Sequence, residues 1–495
     1  MAKARQGLFW GTLSLLIANV FVKGLGFFYR VAMVRIFGAE GMGLIEMATP
    51  LFSFLLVLSG AGISLALSQS VAAGAGDLRQ RFSTALILLG CFGAVTMLAA
   101  FVVSPYLARH LAADARILPC LRQLLPALLI ISSASAFRGW FQGQQQVAIL
   151  GWSQCVEQCV RVAVGLTLAQ QMIRLPLEQA VCAASIATVA GEAGGFLLLL
   201  WRFHRGYGSP GWHFSLPVAG DLLRFGLPVT AGRLASSALA MGQSLLIPLA
   251  LQLSGLDTTA ATTAYGLYSG VAMSLLHLPG VFTSALVVSV VPAVAAGQNQ
   301  SRALLHSRIS KSLQATAVFT LPGIGLLWLL APWLCAVLFH SAEAAPLLRL
   351  LCPAGVFIYL QSTCGGILQG LGKVRELLHN SLLGGGITLL LSFLCTWRWG
   401  ISGTAVAAGA GALSLFLLNR RLLIRATHLH LPWAEILYKP AAAVLLALAA
   451  ALICGHILPP AYEKTAAIIA AAVFVLIYAI LLLFSGIWDG KTRHS

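Results

Sequence analysis

The sequence predicts an all-α integral membrane protein with about 14 transmembrane helices. Of its 495 residues, 59% are hydrophobic and only 9% are charged, whereas soluble domains carry roughly a quarter charged residues. The apolar residues occur in runs of roughly 20, the length that crosses a bilayer as a helix. Short polar segments separate the runs, and Lys and Arg are concentrated in alternate segments. These observations favour a helical bundle, because a helix pairs its backbone polar groups within one segment.

Fourteen apolar segments reach the spanning length. They lie at 8–29, 44–72, 82–107, 118–140, 150–173, 178–201, 222–253, 260–293, 312–339, 347–371, 377–397, 400–420, 436–457 and 465–487. The first segment directly follows "MAKARQGLFW", and no small-residue cleavage site precedes Lys23. We therefore expect it to stay in the membrane as an anchor rather than to be removed as a signal peptide.

The cations between the segments predict the orientation of the chain. Cytoplasmic loops of membrane proteins carry an excess of Lys and Arg. Arg79 and Arg81 follow the second segment, and Arg420 and Arg421 follow the twelfth, whereas the opposite loops hold fewer cations. We expect both termini on the cytoplasmic side, because an even number of helices returns the chain to the side on which it began.

An internal repeat predicts two halves. "WFQGQQQV" (140–147) ends the fourth segment and "ILQGLGKV" (367–374) ends the tenth, while Gly60 in the second segment matches Gly280 in the eighth. The two offsets, 227 and 220 residues, nearly agree. The repeat unit therefore contains six helices.

The polar connection "RFHRGYGSPGWHFSLPVAGD" (202–221) falls between these halves. We predict an N-terminal six-helix lobe at 1–202, an inter-lobe cytoplasmic loop at 203–221, a C-terminal six-helix lobe at 222–425, and two additional transmembrane helices with a cytoplasmic tail at 426–495. Two lobes of six helices enter from the same side, so a pseudo-twofold axis along the membrane normal relates them. This arrangement is typical of transporters, which bind substrate between the halves and rock to release it.

Several cations lie in or beside the apolar segments, where a charge costs about 2.5 to 3.5 kcal/mol on insertion scales. Lys23, Arg30 and Arg35 follow one another along the first segment, and Arg233 lies early in the seventh, its counterpart in the repeat. We interpret all four as candidate substrate-binding residues. The alternative is that an arginine near a helix end extends to the interface.

Acidic groups accompany these cations. Glu157 lies four residues before Arg161, the favourable orientation for a helical ion pair, so Arg161 either binds substrate or is neutralised internally. Glu192 has no partner in its own helix, and three roles remain open: a protonated acid, a pair with a cation from another helix, or a proton relay. Glu46 and His277 complete the set of candidate coupling or charge-balancing residues.

Other classes of protein do not fit the sequence. The net charge of +17 could indicate nucleic-acid binding, but the Lys and Arg residues flank apolar runs instead of forming a basic face with interleaved aromatic residues. Cys155 and Cys159 share a helix face, yet only Glu157 stands nearby as a further ligand, so we predict no metal site and no cofactor. No nucleotide-binding loop or hydrolase motif occurs, and we predict that the protein is not an enzyme.

Three stretches carry a family resemblance: "KGLGFFYRVAMVRIFGAEGMGL", "GAGISLALSQSVAAG" and "FRGWFQGQQQ". On these motifs the chain resembles the multidrug/oligosaccharidyl-lipid/polysaccharide exporter superfamily, in the branch of stage V sporulation protein B and related polysaccharide-biosynthesis proteins. The resemblance covers essentially the whole chain. It implies a two-lobed transporter that flips undecaprenyl-pyrophosphate-linked saccharides outward, with a cationic cavity for the pyrophosphate.

The first helix is similar to that of the lipid II flippases of this superfamily, written roughly S-R-V-L-G-F-x-R-D followed by R-x-F-G-A. Lys23 stands at the first arginine of the pattern and Tyr29 at the second. Arg30 stands where the acid follows, and Arg35 stands at the third arginine. The cationic pattern is thus kept, with its middle member shifted by one residue.

The eighth helix departs from the flippase pattern, which has an arginine and a glutamate shortly before a proline. Ser274 and His277 occupy those places before Pro279. Arg233 would then have to supply the cation of the second lobe.

The resemblance leaves three functions open. The first is a flippase for a peptidoglycan precursor or another envelope saccharide, with membrane lipid around it and H⁺ or Na⁺ as a coupling ion. The second is a cation-coupled multidrug exporter of the same fold, although a cationic first helix disfavours cationic drugs. The third is a non-transporting scaffold of an envelope-synthesis complex, which would tolerate the loss of its interior charges.

Overall fold

The computed structural model describes residues 2–74, 76–209, 211–297, 302–429, 431–457 and 463–484, and within these ranges it contains helices and no strands. The predicted cytoplasmic tail beyond residue 484 lies outside them. The contacts divide the chain into two compact units, Met1–Gly266 and Leu267–Ser495. The lobe boundaries predicted from the repeat stay a prediction.

The helices of the first unit are connected by short segments. They are α1 (Ala2–Leu58), α2 (Ala61–Ala72), α3 (Leu78–Tyr106), α4 (Leu118–Gly143), α5 (Val147–Met172), α6 (Leu177–Ala180), α7 (Cys182–Tyr207), α8 (Leu216–Leu253) and α9 (Thr258–Gly266). A π-helical turn, Leu107–Leu111, and a 3₁₀ turn, Ala115–Ile117, join α3 to α4.

The second unit begins with a π-helical turn, Leu267–Ala272. It continues with α10 (Met273–Leu276), α11 (Gly280–Gly297), α12 (Arg302–Phe339), α13 (Ala345–Gly370), α14 (Val374–Thr427), α15 (Lys439–Ile457) and α16 (Glu463–Phe484). The break between α10 and α11 contains Pro279, whose ring removes a backbone donor and ends helical pairing. The continuous helix expected over 260–293 is therefore interrupted.

The two longest helices each reverse direction at a glycine. Gly38 in α1 has φ 71° and Gly400 in α14 has φ 60°, a left-handed backbone that glycine adopts without strain. Arg30 and Glu46 form an ion pair of 2.7 Å although they are 16 residues apart, a separation of roughly 24 Å along a straight helix. The two arms of α1 therefore lie side by side, as the two predicted segments 8–29 and 44–72 require.

Eleven helices in the described part of the chain are long and apolar enough to cross a membrane. α14 folds back on itself and contains both 377–397 and 400–420. α1 also folds back and contains 8–29 and the first part of 44–72, whose remainder is α2 after a break at Gly60. The predicted all-α integral membrane fold is confirmed.

The core of the first unit is an aromatic cluster near one end of the bundle. Phe82 of α3 stacks on Phe203 of α7 at 4.4 Å, and Phe137 of α4 meets Phe82 edge to face at 5.1 Å. Such pairs contribute about 0.5 to 1.5 kcal/mol beyond the burial of their area. The cluster fixes α3, α4 and α7 together, and these helices position the charges described below.

In the second unit, the last two helices pack on α12. Phe474 is fully buried, and the hydroxyl of Tyr478 donates to the carbonyl of Val318 at 2.9 Å. Gly325 leaves room for Phe474, since a Cβ there would lie 2.7 Å from its ring. The two helices beyond twice six are therefore an integral part of this unit.

Candidate functional site

Four charged side chains meet inside the first unit, and we call them the charge cluster: Arg138, Glu157, Arg161 and Glu192. Arg138 of α4 lies 3.4 Å from Glu157 and 3.1 Å from Glu192. Arg161 lies 2.6 Å from Glu157 and 3.3 Å from Glu192. Each guanidinium thus contacts both carboxylates, in a two-by-two arrangement contributed by α4, α5 and α7.

Small residues of α7 bring the two carboxylates together. A Cβ on Gly191 would lie 2.7 Å from the carbonyl oxygen of Glu157, and a Cβ on Gly195 would lie 3.2 Å from that of Ser153. The glycines let α7 approach the backbone of α5, so the neighbouring Glu192 reaches Arg161 across the helix pair.

The charge cluster combines two guanidinium groups with two carboxyl groups and is only partly buried. The side chains of Glu157 and Glu192 are 14% and 11% exposed, and those of Arg138 and Arg161 are 30% and 22% exposed. Charge-assisted hydrogen bonds of this kind are about twice as strong as neutral ones. The guanidinium groups retain solvent access, so an anion could compete with the carboxylates for them.

Two polar atoms beside the cluster lack a hydrogen-bond partner among the described residues: the Nε of Arg161 and the hydroxyl of Tyr29. Tyr29 of α1 packs directly against Gly165 of α5, and the amide of Gln158 approaches Gly26. The first helix therefore lies against α5 on the side that carries Glu157 and Arg161. A buried donor without a partner is costly, and a bound anion would satisfy it.

The cations predicted on α1 take different positions. Arg30 pairs with Glu46 at 2.7 Å, so Glu46 balances the charge of Arg30 in this conformation. Lys23 and Arg35 are exposed residues of the same helix. Arg233 is also exposed, on α8, which packs against α1 and α2 in the same unit.

His277 lies in the second unit, where it ends α10 and its backbone N–H donates to the carbonyl of Met273 at 3.0 Å. The side chain is exposed. Its predicted coupling role rests on its place in the sequence.

The sequence did not indicate Arg138 as an interior charge. It lies two residues before the end of the predicted fourth segment, 118–140, where an arginine is expected to extend to the interface. In the structure it lies five residues inside the end of α4 and faces two carboxylates. The tendency of an intramembrane acid such as Glu192 to attract a cation from another helix was the available signal.

A second polar network lies at the end of the first unit where α1 reverses, and we call it the Arg116 network: Glu40, Asp114, Arg116, Thr259 and Thr262. Arg116 binds Asp114 through Nε at 3.1 Å and Nη2 at 2.8 Å, and Glu40 through Nη1 at 2.6 Å. Thr262 donates to Asp114 at 2.9 Å. The network joins α1, the segment before α4, and α9.

Asp114 is the buried centre of this network, with a side chain 3% exposed. Burial alone would raise the pKa of its carboxyl group. The hydrogen bonds from Arg116 and Thr262, together with the charge of Arg116, outweigh burial and hold that pKa below its usual value. Asp114 is therefore a carboxylate at neutral pH.

Within the described ranges, no group of three or more His, Cys, Asp or Glu side chains is placed to hold a metal ion. The charged groups inside the first unit are guanidinium and carboxyl groups instead, and guanidinium donors suit phosphate or carboxylate ligands.

Comparisons with known proteins agree with this architecture. A family model described as "Polysaccharide biosynthesis protein" matches residues 8–298. Stage V sporulation protein B of Bacillus subtilis is 28% identical over 84% of this chain and 83% of its own length.

Solved structures show the same fold. The lipid II flippase MurJ in an inward closed conformation superposes with a TM-score of 0.78 at 13% identity, covering 96% of this chain and 98% of that one. A multidrug resistance MATE family transporter of the MOP superfamily, in an inward-facing conformation, gives 0.65 at 17% identity, covering 82% and 95%. The chain belongs to the polysaccharide biosynthesis protein family.

Proposed function

We propose that this protein is a flippase that moves an undecaprenyl-pyrophosphate-linked saccharide across the bacterial cytoplasmic membrane by alternating access. The saccharide is a peptidoglycan precursor or another envelope unit. One observation carries the proposal: although only 9% of its residues are charged, the chain places the guanidinium groups of Arg138 and Arg161 together inside its first unit. Both side chains pair with carboxyl groups and stay partly exposed. Charges at this depth are costly and normally serve a ligand or a partner.

The proposed ligand for these cations is the pyrophosphate. Its oxygens accept charge-assisted hydrogen bonds from Lys23, Arg30, Arg35 and Arg233, with Arg161 as a fifth contact. The carboxylates act as stand-in anions when no substrate is bound: Glu46 holds Arg30, and Glu157 holds Arg161 at 2.6 Å. This balance avoids leaving an unpaired cation in low dielectric, and it keeps the guanidinium groups in place for the next substrate.

The carboxylates freed by substrate also give the protein a place to couple transport to an ion. When pyrophosphate takes a guanidinium from Glu157 or Glu192, the released carboxylate is left without that partner and is our proposed site for the coupling ion, H⁺ or Na⁺. His277 and Glu46 are further candidates for the coupling role. Both termini are proposed to lie in the cytoplasm, on the side where the loops are rich in Lys and Arg.

The test is complementation of a bacterium depleted of its own lipid II flippase. The wild type is compared with a Lys23→Ala, Arg233→Ala double variant at matched membrane abundance. Arg224→Ala is the control, because Arg224 is an exposed cation on the same helix as Arg233. We expect rescue by the wild type and the control, and loss of rescue by the double variant.

Two results would count against the proposal. Rescue by the double variant would remove the proposed role of both cations. Failure of every variant, with protein present in the membrane, would reject a lipid II substrate and shift the assignment to another lipid-linked saccharide or to drug export.

A further inference from the structure

Two cysteines of the first unit lie next to each other in its interior. The Sγ atoms of Cys120 and Cys182 are 4.0 Å apart, and the two residues are 62 positions apart in the chain. Cys120 is fully buried and Cys182 is 5% exposed. Cys120 belongs to the first turn of α4, and Cys182 is the first residue of α7.

The two cysteines are free thiols in this structure, and their sulfur atoms lie about 2 Å farther apart than those of a bonded pair. A disulfide requires an S–S separation of about 2.05 Å, and turning one cysteine between staggered χ1 wells moves its sulfur by roughly 3 Å. The thiols can therefore bond through a side-chain rotation.

The location of the pair favours oxidation. The N-termini of α4 and α7 follow the segments 107–117 and 173–181, and the positive-inside pattern predicts that both segments face outward. Disulfides form and persist outside the cytoplasm. This step rests on the orientation that is part of the proposed function.

We propose that Cys120 and Cys182 form a disulfide that joins α4 to α7. The oxidant is a membrane-external thiol–disulfide oxidoreductase. The Cys182 thiolate attacks the disulfide of the carrier, the Cys120 thiolate then displaces the carrier from the mixed disulfide, and the carrier leaves as a dithiol with both electrons. Because the thiols are buried in the folded chain, the exchange takes place while α4 and α7 are being inserted.

The disulfide would hold the helices of the charge cluster in register. α4 carries Arg138, α7 carries Glu192, and the two side chains meet at 3.1 Å. Cross-linking positions far apart in sequence restricts the unfolded chain strongly. The lobe would then move as one body while the cluster keeps its geometry.

The redox state in cells tests the proposal. Membranes are dissolved in SDS with excess N-ethylmaleimide, so that every free thiol, including a buried one, takes the light label. The full-length protein is then purified without reductant, and its disulfides are reduced and labelled with a heavier maleimide. We expect the heavy label on Cys120 and Cys182, and the light label on the exposed Cys159, which is the internal control. Reductant should lower the Tm of the wild type by several degrees and leave Cys120→Ala and Cys182→Ala unchanged.

A second arm treats the purified protein with copper phenanthroline. The light label on both cysteines in cells overturns the proposal in either case. If the pair then oxidises in vitro, the geometry holds and the predicted orientation is at fault. If it does not, the two thiols are a packing contact only. Complementation by Cys120→Ala reports on flipping separately, so failure of the disulfide is distinguishable from failure of the flippase assignment.

Discussion

The charge cluster and the Arg116 network both pair arginine with carboxylates, but they use the pairing differently. In the Arg116 network, one guanidinium serves two acids, and the buried Asp114 also accepts hydrogen bonds from Thr262 and from the backbone N–H of Arg116. In the charge cluster, two guanidinium groups share two carboxylates, three of the four contacts are 3.1 to 3.4 Å long, and the Nε of Arg161 has no partner within the described residues.

The difference indicates two kinds of ion pair: one that holds helices together, and one whose arginines can leave their carboxylates for another anion. Asp114 is held by several short bonds at the end of the helices, where the network connects the reversal of α1 to α9. The cluster lies within the helices, most of its contacts are longer, and the buried Nε of Arg161 has no hydrogen-bond partner among the described residues. Exposure does not distinguish the two sites, because the side chains of Arg116 and Arg138 are both 30% exposed. We infer that the Arg116 network contributes stability and that the cluster keeps its cations available.

The largest expected effect comes from removing Arg116. Arg116→Ala would leave Asp114 buried without its partner and should lower the free energy of unfolding by about 3 kcal/mol. Thermal unfolding of the purified protein measures the loss, with the exposed Arg109→Ala as the matched control. An Arg116→Ala protein as stable as the control would contradict the distinction between the two sites.

A smaller effect is expected from the cluster, where each charge has a second partner. A double-mutant cycle of Arg138→Gln and Glu192→Gln should give a coupling energy of about 1 to 2 kcal/mol. The same variants should impair complementation more than their stability loss explains. Additive effects on stability, together with unimpaired complementation, would show that the cluster neither couples nor serves transport.

The smallest effect is the dependence of stability on pH through Asp114. Its folded pKa lies below the usual value of about 3.9, so its contribution is present above about pH 4 and is lost as pH falls through the folded pKa. The stability difference between the wild type and Asp114→Asn, about 1 kcal/mol at pH 7, should therefore shrink as pH falls below 4. The exposed Asp257→Asn serves as the control. A difference that stays constant down to pH 2 would refute the lowered pKa.

The fold could be predicted from the sequence because apolar runs of spanning length have few alternatives in a bilayer. Glu157 and Arg161 could be paired in advance, since positions four apart share a helix face. The contact between Glu192 and Arg138 depends on how closely α7 approaches α5 at Gly191. That approach is a tertiary property, which no local sequence pattern predicts. Asp114 and Thr262 are 148 residues apart, and no local pattern connects them. The docking of α16 on α12 through Tyr478 is equally non-local.

Because α1 reverses at Gly38, the distance between Arg30 and Glu46 depends on the angle between the two arms of α1. Both residues lie eight positions from Gly38, so each arm is a lever of roughly 12 Å. A swing of about 10° would separate the side chains by roughly 2 Å, enough to break a bond of 2.7 Å. Under the proposed function, a phosphate that binds Arg30 would break its ion pair with Glu46 and leave the two arms free to separate. Substrate recognition and helix motion would thus share one bond, and binding would be the event that frees the first helix to move.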